Sequence, residues 1–434
     1  MEVTYYNPAL ETADRATLEA HQLTRLRSLL ATLLARNPFY GPRLRAAGLR
    51  DAAEVRTLAD LRHLPFTRKA ELIADQEAHP PYGTNLTYPL TAYTRLHQTS
   101  GTTGRPLRIL DTPSSWDWWL RCWGYVYRGA GVGPEDRIFC AFSFGPFIGF
   151  WSAFEAGQQL GALVLAGGGQ SSEQRLQMIA DNQATVLVCT PTYALRLAEV
   201  AREQGFDTRH STIRATIHAG EPGANIPATK RRIEEAWGAR CFDHAGATEV
   251  GAHSFECVAQ PGGIHMNEAE FIFEVLDPQT DQPADEGELV ITNLGREGMP
   301  VLRYRTGDRV KLQPGECPCG RTFRRLEGGI LGRVDDMLTV RGVNVFPSAI
   351  ENLVRRFTAV DEFVIEVYRE RAMDELELQL EVVGEPPETV CEAVAREIWT
   401  ALGFRPRVRA VPAGSLPRFE LKARRVRDRR VLTA

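Results

Sequence analysis

The middle of this sequence alternates between short apolar runs and longer amphipathic runs. The apolar runs ATVLVC (184–189) and IRATIHAG (213–220) are followed by stretches with apolar residues at helical spacing, TYALRLAEVAREQG and IPATKRRIEEAWG. A strand that is repeatedly followed by a helix predicts parallel βαβ units, because parallel neighbours need a crossover connection. Ligands of such folds bind beyond the carboxyl ends of the strands. The alternation therefore predicts an α/β fold with its functional site at that edge.

The segments on either side of this region differ from it. Residues 10–80 are predicted to be helices with connectors, whereas short strands separated by turn residues follow residue 270, in EFIFEVLDP, GELVITNL and DRVKLQP. After residue 335 the helical runs SAIENLVRRF and ETVCEAVAREIWTALG alternate with the strand-like runs FVIEVYRE and LELQLEVV. We therefore predict a large N-terminal α/β domain over residues 1–334, with parallel sheets and a β-rich subdomain, and a small C-terminal α+β domain over residues 335–434.

Composition argues against several classes of function. The chain of 434 residues has a formal net charge of −4, which provides no general attraction to nucleic acids or acidic membranes. The uncharged stretch 138–154 is interrupted by Gly145-Pro146 and Gly149, so a buried segment is expected there rather than a membrane span. Eight cysteines, and no signal-peptide pattern at the N-terminus, predict a cytoplasmic protein with free thiols.

The stretch HQTSGTTGRP (97–106) is too polar and too rich in glycine for a buried helix or a central strand. Its hydroxyl groups, together with backbone N–H groups that glycine leaves accessible, are typical of a loop that binds phosphate. The Gly-Lys-Ser/Thr ending of a Walker A loop is missing, and a solvated turn is the alternative interpretation.

Six motifs occur in the order SGTTGRP, HAGEPG (218–223), DHAGATE (243–249), RYRTGD (303–308), GRVDDMLTVRGVNVFPSAIE (332–351) and LPRFELKARRVRDRR (416–430). Together they resemble the acyl-adenylate-forming superfamily, and in particular its phenylacetate–CoA ligase branch, from about residue 90 to the end. The resemblance implies an ATP-dependent ligase that adenylates an aryl carboxylic acid and transfers the acyl group to coenzyme A, releasing AMP and pyrophosphate. ATP, Mg²⁺ and coenzyme A would be its cofactors.

The resemblance also implies a nucleotide site. Its positions are Ser100, Gly101, Thr102, Thr103 and Gly104 at the β- and γ-phosphates, Gly220, Glu221, Pro222, Asp243 and His244 around the adenine, and Asp308 and Arg333 at the ribose. Thr248 would bind the α-phosphate, and Glu249 would ligate Mg²⁺, which prefers oxygen ligands. Lys422 would stabilise the charge that develops as the adenylate forms. Taken alone, Asp308 and Lys422 would be interpreted as solvated surface charges.

The same resemblance implies an acyl pocket, a hinge and a channel for coenzyme A. The pocket positions are Phe142, Phe147, Trp151, Ala219, Ala245 and Gly246, with Phe144 and Ile148 in the same segment and His218 and His244 as candidate partners of a ring substituent. Aromatic walls suit a flat aryl acid, although about half of these residues would be ordinary core on the alternative interpretation. Asp335 is the predicted hinge, and Arg341, Gly342 and Val343 would line the channel.

Two residues depart from the pattern of this branch. Ala245 stands where the branch usually has an aromatic residue, which puts phenylacetate itself in doubt as the substrate. Arg105 stands where lysine is common, and arginine keeps the positive charge of lysine but not the shape of its side chain.

Four residues form a candidate zinc site. Cys317 and Cys319 lie one residue apart, and Cys257 and His265 precede them on the β-rich segment. A Cys₃His set matches a closed, tetrahedral, structural zinc site, and some members of the ligase branch have such a site. Four unrelated residues are the alternative, and His253 is a competing ligand.

Two other functions remain open at this stage. The first is an adenylating enzyme that loads a carrier protein or an amine, and the second is a non-catalytic nucleotide-binding regulator. We expect small-molecule partners, no nucleic acid and no membrane, and we leave a homodimer open. Ten Arg or Lys residues lie between 405 and 430; we attribute them to coenzyme A phosphates and solvated charge rather than to a nucleic-acid patch.

Overall fold

A computed structural model describes residues 1–99, 105–142, 144–334, 338–340, 343–370, 373–419 and 425–430. Its helices are α1 (Pro8–Glu11), α2 (Arg15–Arg36), α3 (Tyr40–Ala46), α4 (Lys69–Ala78), α5 (Pro113–Gly129), α6 (Ile148–Gln159), α7 (Ser172–Asp181), α8 (Pro191–Glu203), α9 (Pro227–Trp237), α10 (Pro347–Val354) and α11 (Pro387–Leu402). Its strands are β1 (Arg95–Gln98), β2 (Arg108–Asp111), β3 (Arg137–Cys140), β4 (Leu163–Ala166), β5 (Val186–Cys189), β6 (Ala215–His218), β7 (Arg240–Ala247), β8 (Gly251–Phe255), β9 (Gly263–Met266), β10 (Phe271–Leu276), β11 (Glu286–Asn293), β12 (Tyr304–Gln313), β13 (Arg325–Glu327), β14 (Gly332–Arg333), β15 (Leu338–Val340), β16 (Val343–Val345), β17 (Val360–Glu370), β18 (Met373–Val382), β19 (Arg407–Val411) and β20 (Val426–Asp428).

The largest sheet among the described strands is mixed. Its order is β10-β11-β12-β13-β9-β8-β7-β6-β5-β3-β4, and β14 pairs with β12. The five strands from β4 to β7 pair in parallel, which confirms the prediction from the strand–helix alternation. From β7 to β10 every neighbouring pair is antiparallel. The β-rich segment therefore extends the parallel sheet, because the chain turns directly from β7 into β8.

Glycine is required where this turn enters β8. Gly251 has a φ of +135°, and a Cβ atom there would lie 2.7 Å from the rings of Trp118 and Phe271. A larger residue would push the strand away from α5, which packs behind it. The turn between β7 and β8 carries Thr248 and Glu249, so this close approach fixes the position of a predicted functional segment.

Helix α5 forms the support beneath the turn. The Thr112 side chain accepts a hydrogen bond from the backbone N–H of Ser115, and Pro113 occupies the first helical position. Its buried aromatic residues are Trp116, Trp118, Trp119, Trp123, Tyr125 and Tyr127, whereas Ser114, Asp117, Arg121 and Arg128 form a polar stripe at helical spacing. A helix with one wide apolar face and one polar stripe packs the apolar face into the core.

The C-terminal residues have a hydrophobic core of their own, which runs from Leu338 to Phe404. Their sheet has the order β19-β18-β17-β20. Helices α10 and α11 and strands β17 and β18 coincide with the predicted elements. The predicted hinge, Asp335, lies outside the described residues.

The uncharged stretch 138–154 is divided between β3 and α6. Within the described parts of the chain, no helix is both long and apolar enough to span a bilayer.

Candidate active site

The carboxyl ends of the parallel strands bring several predicted segments together. His218 ends β6 and pairs in register with Asp243 of β7. The loop 219–223 leaves β6 at this edge, and the turn with Thr248 and Glu249 follows β7. The aromatic segment after β3 begins at the same edge. The structure therefore gathers nucleotide and acyl candidates where ligands of α/β sheets bind.

Glu249 is 4% exposed and has two partners on the same oxygen. The Tyr304 hydroxyl donates to its Oε1 at 2.6 Å, and the Lys69 ammonium lies 3.3 Å from that atom. Burial and the charge of Glu249 raise the pKa of Tyr304, so its proton stays in this hydrogen bond at neutral pH. These two contacts fix the orientation of the buried carboxylate.

Sequence reasoning missed Lys69, which begins α4. The nearby Thr67 forms a parallel bridge with Tyr304, since its N–H donates to the carbonyl of Arg303 and its own carbonyl accepts from the N–H of Arg305. This bridge brings the lysine to Glu249. No local signal marks it, because the contact joins segments that are far apart in the chain.

Asp243 lies beside a buried ion pair. The Lys230 ammonium contacts both carboxylate oxygens of Glu256 at 2.7 Å, and the N–H of Asp243 donates to Glu256 at 2.8 Å. Burial, together with the negative charge of Glu256, raises the pKa of Asp243 to about 7. Gly329 approaches it so closely that a Cβ atom would lie 2.8 Å from its Oδ2.

The loop after β6 is held from both sides. Glu221 accepts a hydrogen bond from the backbone N–H of Thr192 at 2.9 Å. The Asn225 amide donates to the carbonyl of Ile330 at 2.7 Å. Gly220, with a φ of +94°, and Pro222 are exposed on this loop. A flat base can therefore reach the backbone between these two anchors.

Asp308 and Arg333 are register partners across β12 and β14. The guanidinium Nη1 lies 3.6 Å from Asp308 Oδ1 and donates to the carbonyl of Thr306 at 3.1 Å. A Cβ atom at Gly307, whose φ is +75°, would lie 2.5 Å from the same guanidinium. A partly exposed carboxylate with two acceptor oxygens is suited to vicinal hydroxyls.

Aromatic rings cluster after β3. Phe142 stacks on Phe150 with ring centroids 4.2 Å apart, and Phe144 meets Trp151 edge to face at 4.8 Å. Phe142 and Ile148 are buried, whereas Phe144, Phe147 and Trp151 are half-buried. Ala219 and Ala245 are also half-buried, and Gly246 is exposed. The segment contacts the start of the predicted phosphate loop, because the N–H of Gln98 donates to the carbonyl of Pro146 at 2.8 Å.

The two histidines at this edge are buried and neutral. The Nδ1 of His244 hydrogen-bonds to the carbonyl of Ser254 at 2.9 Å, and the Nδ1 of His218 to that of Cys189 at 3.0 Å. Burial lowers the pKa of each to about 4. Among the described residues, the Nε2 of His218 has no hydrogen-bond partner.

Some predicted residues lie outside the described part of the chain: Ser100, Gly101, Thr102, Thr103, Gly104, Asp335, Arg341, Gly342 and Lys422. Their roles stay predictions. Val343 is described and pairs with Val340 at the β15–β16 hairpin.

Away from this edge, the predicted metal ligands form a buried cluster. The candidate ligand atoms of Cys257, His265, Cys317 and Cys319 all lie within 4.8 Å of one another. The sulfurs of Cys257 and Cys317 are 3.6 Å apart, and Cys319 Sγ lies 3.4 Å from His265 Nε2. Zn–S bonds of about 2.3 Å arranged tetrahedrally place two sulfurs about 3.8 Å apart, so the residues fit zinc.

The surroundings of the cluster also fit a metal site. The other ring nitrogen of His265 donates to the carbonyl of Phe323 at 3.1 Å, the outer hydrogen bond usual for a ligating histidine. His253 is not a member of the cluster, and its Nδ1 hydrogen-bonds to the Ser254 hydroxyl. The Tyr5 hydroxyl donates to the carbonyl of Cys319 at 2.5 Å, which fastens the N-terminal segment to the cluster.

Comparison with known proteins identifies the family. A model described as AMP-binding enzyme matches residues 64–295, and one described as AMP-binding enzyme C-terminal domain matches residues 342–430. The chain belongs to the family of AMP-binding enzymes. A phenylacetate–coenzyme A ligase of Thermus thermophilus is 35% identical over 98% of this chain and 99% of its own length. These matches confirm the resemblance to the phenylacetate–CoA ligase branch.

Solved structures add information on domain arrangement. A 2-hydroxyisobutyryl-CoA ligase in the postadenylation state, in complex with 2-HIB-AMP, matches with a TM-score of 0.93 at 31% identity, over 99% of this chain and 93% of that one. The same ligase in the thioesterification state, with 2-HIB-AMP and CoA, matches with a TM-score of 0.74 at 32% identity over the same shares. Both scores come from the same ligase in two states. The domain arrangement of the present structure is therefore more similar to the postadenylation state than to the thioesterification state.

Proposed function

We propose that this protein is an ATP-dependent ligase that adenylates an aryl carboxylic acid and transfers the acyl group to coenzyme A, with release of AMP and pyrophosphate. The observation that supports it most is the meeting of the adenine loop, Asp243 and the Thr248–Glu249 turn at the ends of β6 and β7. Family membership makes a non-catalytic regulator the weaker hypothesis.

The nucleotide would lie along this edge. Gly220, Glu221 and Pro222 would flank the adenine, Asp243 would accept its amino group, and Asp308 would bind the ribose. Glu249 would ligate the Mg²⁺ that accompanies the phosphates, since a buried carboxylate suits a hard cation. Lys69 would add positive charge beside those phosphates, and Lys422 would stabilise the transition state of adenylation.

The aryl preference of the acyl site is supported by the half-buried rings of Phe144, Phe147 and Trp151. Aromatic walls bind flat acids through offset and edge-to-face contacts. Ala245 would leave room where the branch has a ring. The similarity to a 2-hydroxyisobutyryl-CoA ligase favours a small branched hydroxy acid as the second candidate.

Three further points belong to the proposal. A zinc ion held by Cys257, His265, Cys317 and Cys319 would be structural, because four protein ligands leave no open position. The small domain, from residue 335 onwards, would turn about Asp335 to present Lys422 or to admit coenzyme A along Arg341, Gly342 and Val343. The protein would act in the cytoplasm on small molecules, either alone or as a homodimer.

One experiment separates the candidate functions. Pyrophosphate release is measured with ATP and Mg²⁺ over a panel of phenylacetate, substituted benzoates and 2-hydroxyisobutyrate, with and without coenzyme A. We expect turnover with an aryl acid and a thioester product that requires coenzyme A. Pyrophosphate release without thioester would indicate a carrier-protein or amine acceptor, and no release with any acid would overturn the proposal.

A further inference from the structure

Arg425 is an arginine of the C-terminal domain that is 8% exposed. It immediately precedes β20, and its carbonyl accepts the N–H of Ile365 at 2.7 Å, which fixes its backbone to β17. The residue follows Lys422 by three positions, and three residues of extended chain span at most about 11 Å. Arg425 therefore belongs to the same short stretch of sequence as the lysine to which the resemblance assigns the adenylation charge.

Two carboxylates of its own domain hold the Arg425 side chain. Its guanidinium donates to both oxygens of Glu362, at 2.8 and 3.1 Å, and contacts Glu351 at 3.3 Å. Arg355 also donates to Glu362, at 3.0 Å. Two arginines and two glutamates thus balance their charges inside the domain, and a planar guanidinium matches this bidentate geometry.

The same guanidinium reaches the N-terminal domain. Its Nη2 lies 3.5 Å from the hydroxyl oxygen of Thr192, and the backbone N–H of Thr192 donates to Glu221 at 2.9 Å. Burial lowers the pKa of Arg425, but the charges of Glu351, Glu362 and Glu221 outweigh it and raise that pKa. A chain of contacts therefore runs from the C-terminal domain through Thr192 to the adenine loop.

We propose that Arg425 is a positioning residue for adenylation, which holds the start of β20 against the nucleotide loop through Thr192 and Glu221. This inference rests on the proposed function. Glu351 and Glu362 move with the C-terminal domain, so they accompany Arg425 in any domain arrangement. The contact with Thr192 belongs to the present arrangement, whose similarity to a postadenylation state exceeds that to a thioesterification state.

The test compares the two half-reactions. Adenylation is followed as pyrophosphate release without coenzyme A, and thioester formation is followed from preformed acyl-adenylate. We expect Arg425→Gln to slow adenylation about tenfold or more, the usual loss for a hydrogen bond to a charged group, and thioester formation at most about twofold. Arg425→Lys should recover part of the adenylation rate, because lysine restores the positive charge but not the planar guanidinium that donates two hydrogen bonds to one carboxylate.

Two further variants separate positioning from folding. Arg356→Gln is the matched control, because Arg356 pairs with Glu397 inside the C-terminal domain. It should leave both half-reactions unchanged. Thr192→Val removes the acceptor across the domains without disturbing the ion pairs, and should slow adenylation a few-fold at an unchanged melting temperature.

Equal losses in both half-reactions for Arg425→Gln, or no loss of adenylation in either Arg425→Gln or Thr192→Val, would overturn the positioning role. A wild-type protein that adenylates no acid would instead overturn the proposed function itself, so the two failures are distinguishable.

Discussion

Arg296 and Asp111 form an ion pair in which neither side chain is exposed. The Nε of Arg296 donates to one carboxylate oxygen at 2.7 Å and its Nη2 to the other at 2.6 Å. The remaining nitrogen, Nη1, donates to the backbone carbonyl of Thr248 at 2.6 Å. Asp111 ends β2, whose hairpin partner β1 leads into the predicted phosphate loop. One buried pair therefore joins the two segments assigned to the phosphates of ATP.

Breaking this pair should impair nucleotide binding as well as stability. We expect Arg296→Lys to raise the KM for ATP severalfold, because an ammonium cannot serve both the carboxylate and the Thr248 carbonyl. Asp111→Asn should lower the free energy of unfolding by ~3–5 kcal/mol, the usual result of removing one partner of a buried pair. Chemical denaturation and initial-rate kinetics measure the two effects.

Asp136 provides the control for a purely structural effect. Its buried carboxylate is bound by Arg214 in front of β3 and β6, at the opposite edge of the sheet. Asp136→Asn should destabilise the protein while leaving the KM for ATP unchanged in the folded enzyme. If Asp136→Asn raised the KM for ATP as much as Arg296→Lys does, this result would contradict the role assigned to Arg296.

Much of this architecture is predictable from the sequence because it depends on local patterns. The runs around Val186, Ala215 and the helices after them carry periodicities that specify strand or helix wherever they are placed. The cluster of Cys257, His265, Cys317 and Cys319 was also predictable, because cysteine and histidine are few enough in the chain for their spacing to indicate a candidate metal site.

Contacts between distant charges were not predictable. Nothing near Arg296, Arg425 or Lys69 indicates that these side chains face a carboxylate far away in the sequence. Arginine and lysine are usually exposed, so local pattern favours solvent for all three. The continuation of the sheet from β7 into β8 was missed for a related reason, since strand pairing depends on the packing of Gly251 against α5.

The affinity for ATP should rise with pH around neutrality. The pKa of Asp243 is raised to about 7 by burial and by Glu256. Below that pH the carboxyl carries a proton, and above it the ionised group is a stronger acceptor for the adenine amino group. We expect the KM for ATP to fall between pH 6 and 8, and Asp243→Asn to flatten this dependence.

The stability of the nucleotide-free protein should show the opposite trend. In the unfolded chain the carboxyl of Asp243 has a pKa of about 3.9. Because folding raises this pKa to about 7, the group contributes stability that is fully present below about pH 3.9 and is lost as the pH rises through about 7. Unfolding measured from pH 5 to 8 should therefore show a loss that Asp243→Asn removes. Parallel pH profiles in wild type and variant would contradict the shifted pKa.

Glu249→Gln should raise the Mg²⁺ concentration needed for half-maximal adenylation, because a neutral amide is a poorer ligand for a hard cation. Glu297→Gln is a suitable control, because Glu297 also accepts a hydrogen bond from a tyrosine hydroxyl. Tyr88 donates to Glu297 at 3.0 Å, just as Tyr304 donates to Glu249. If Glu249→Gln needed no more Mg²⁺ than the wild-type protein, this result would refute the metal role.

The purified protein should contain about one zinc ion per chain, bound by three thiolates and one imidazole. The ligands lie after β8, on β9 and between β12 and β13, so the metal joins the strands that extend the sheet beyond the Glu249 turn. Tyr5 and the ion pair of Glu11 with Arg321 bring the N-terminal segment to the same place.

Loss of the zinc should therefore unfold the molecule more readily without altering its chemistry. Because metal binding contributes directly to folding free energy, Cys317→Ser or chelation should lower the melting temperature while the turnover of the remaining folded enzyme changes little. Cys391→Ser, at a buried cysteine of α11, should keep its zinc and most of its stability. Elemental analysis that finds no metal in protein purified without chelator would end the hypothesis. Zinc that is bound with a water in place of one side chain would overturn its structural role, because an open position is the mark of a catalytic metal.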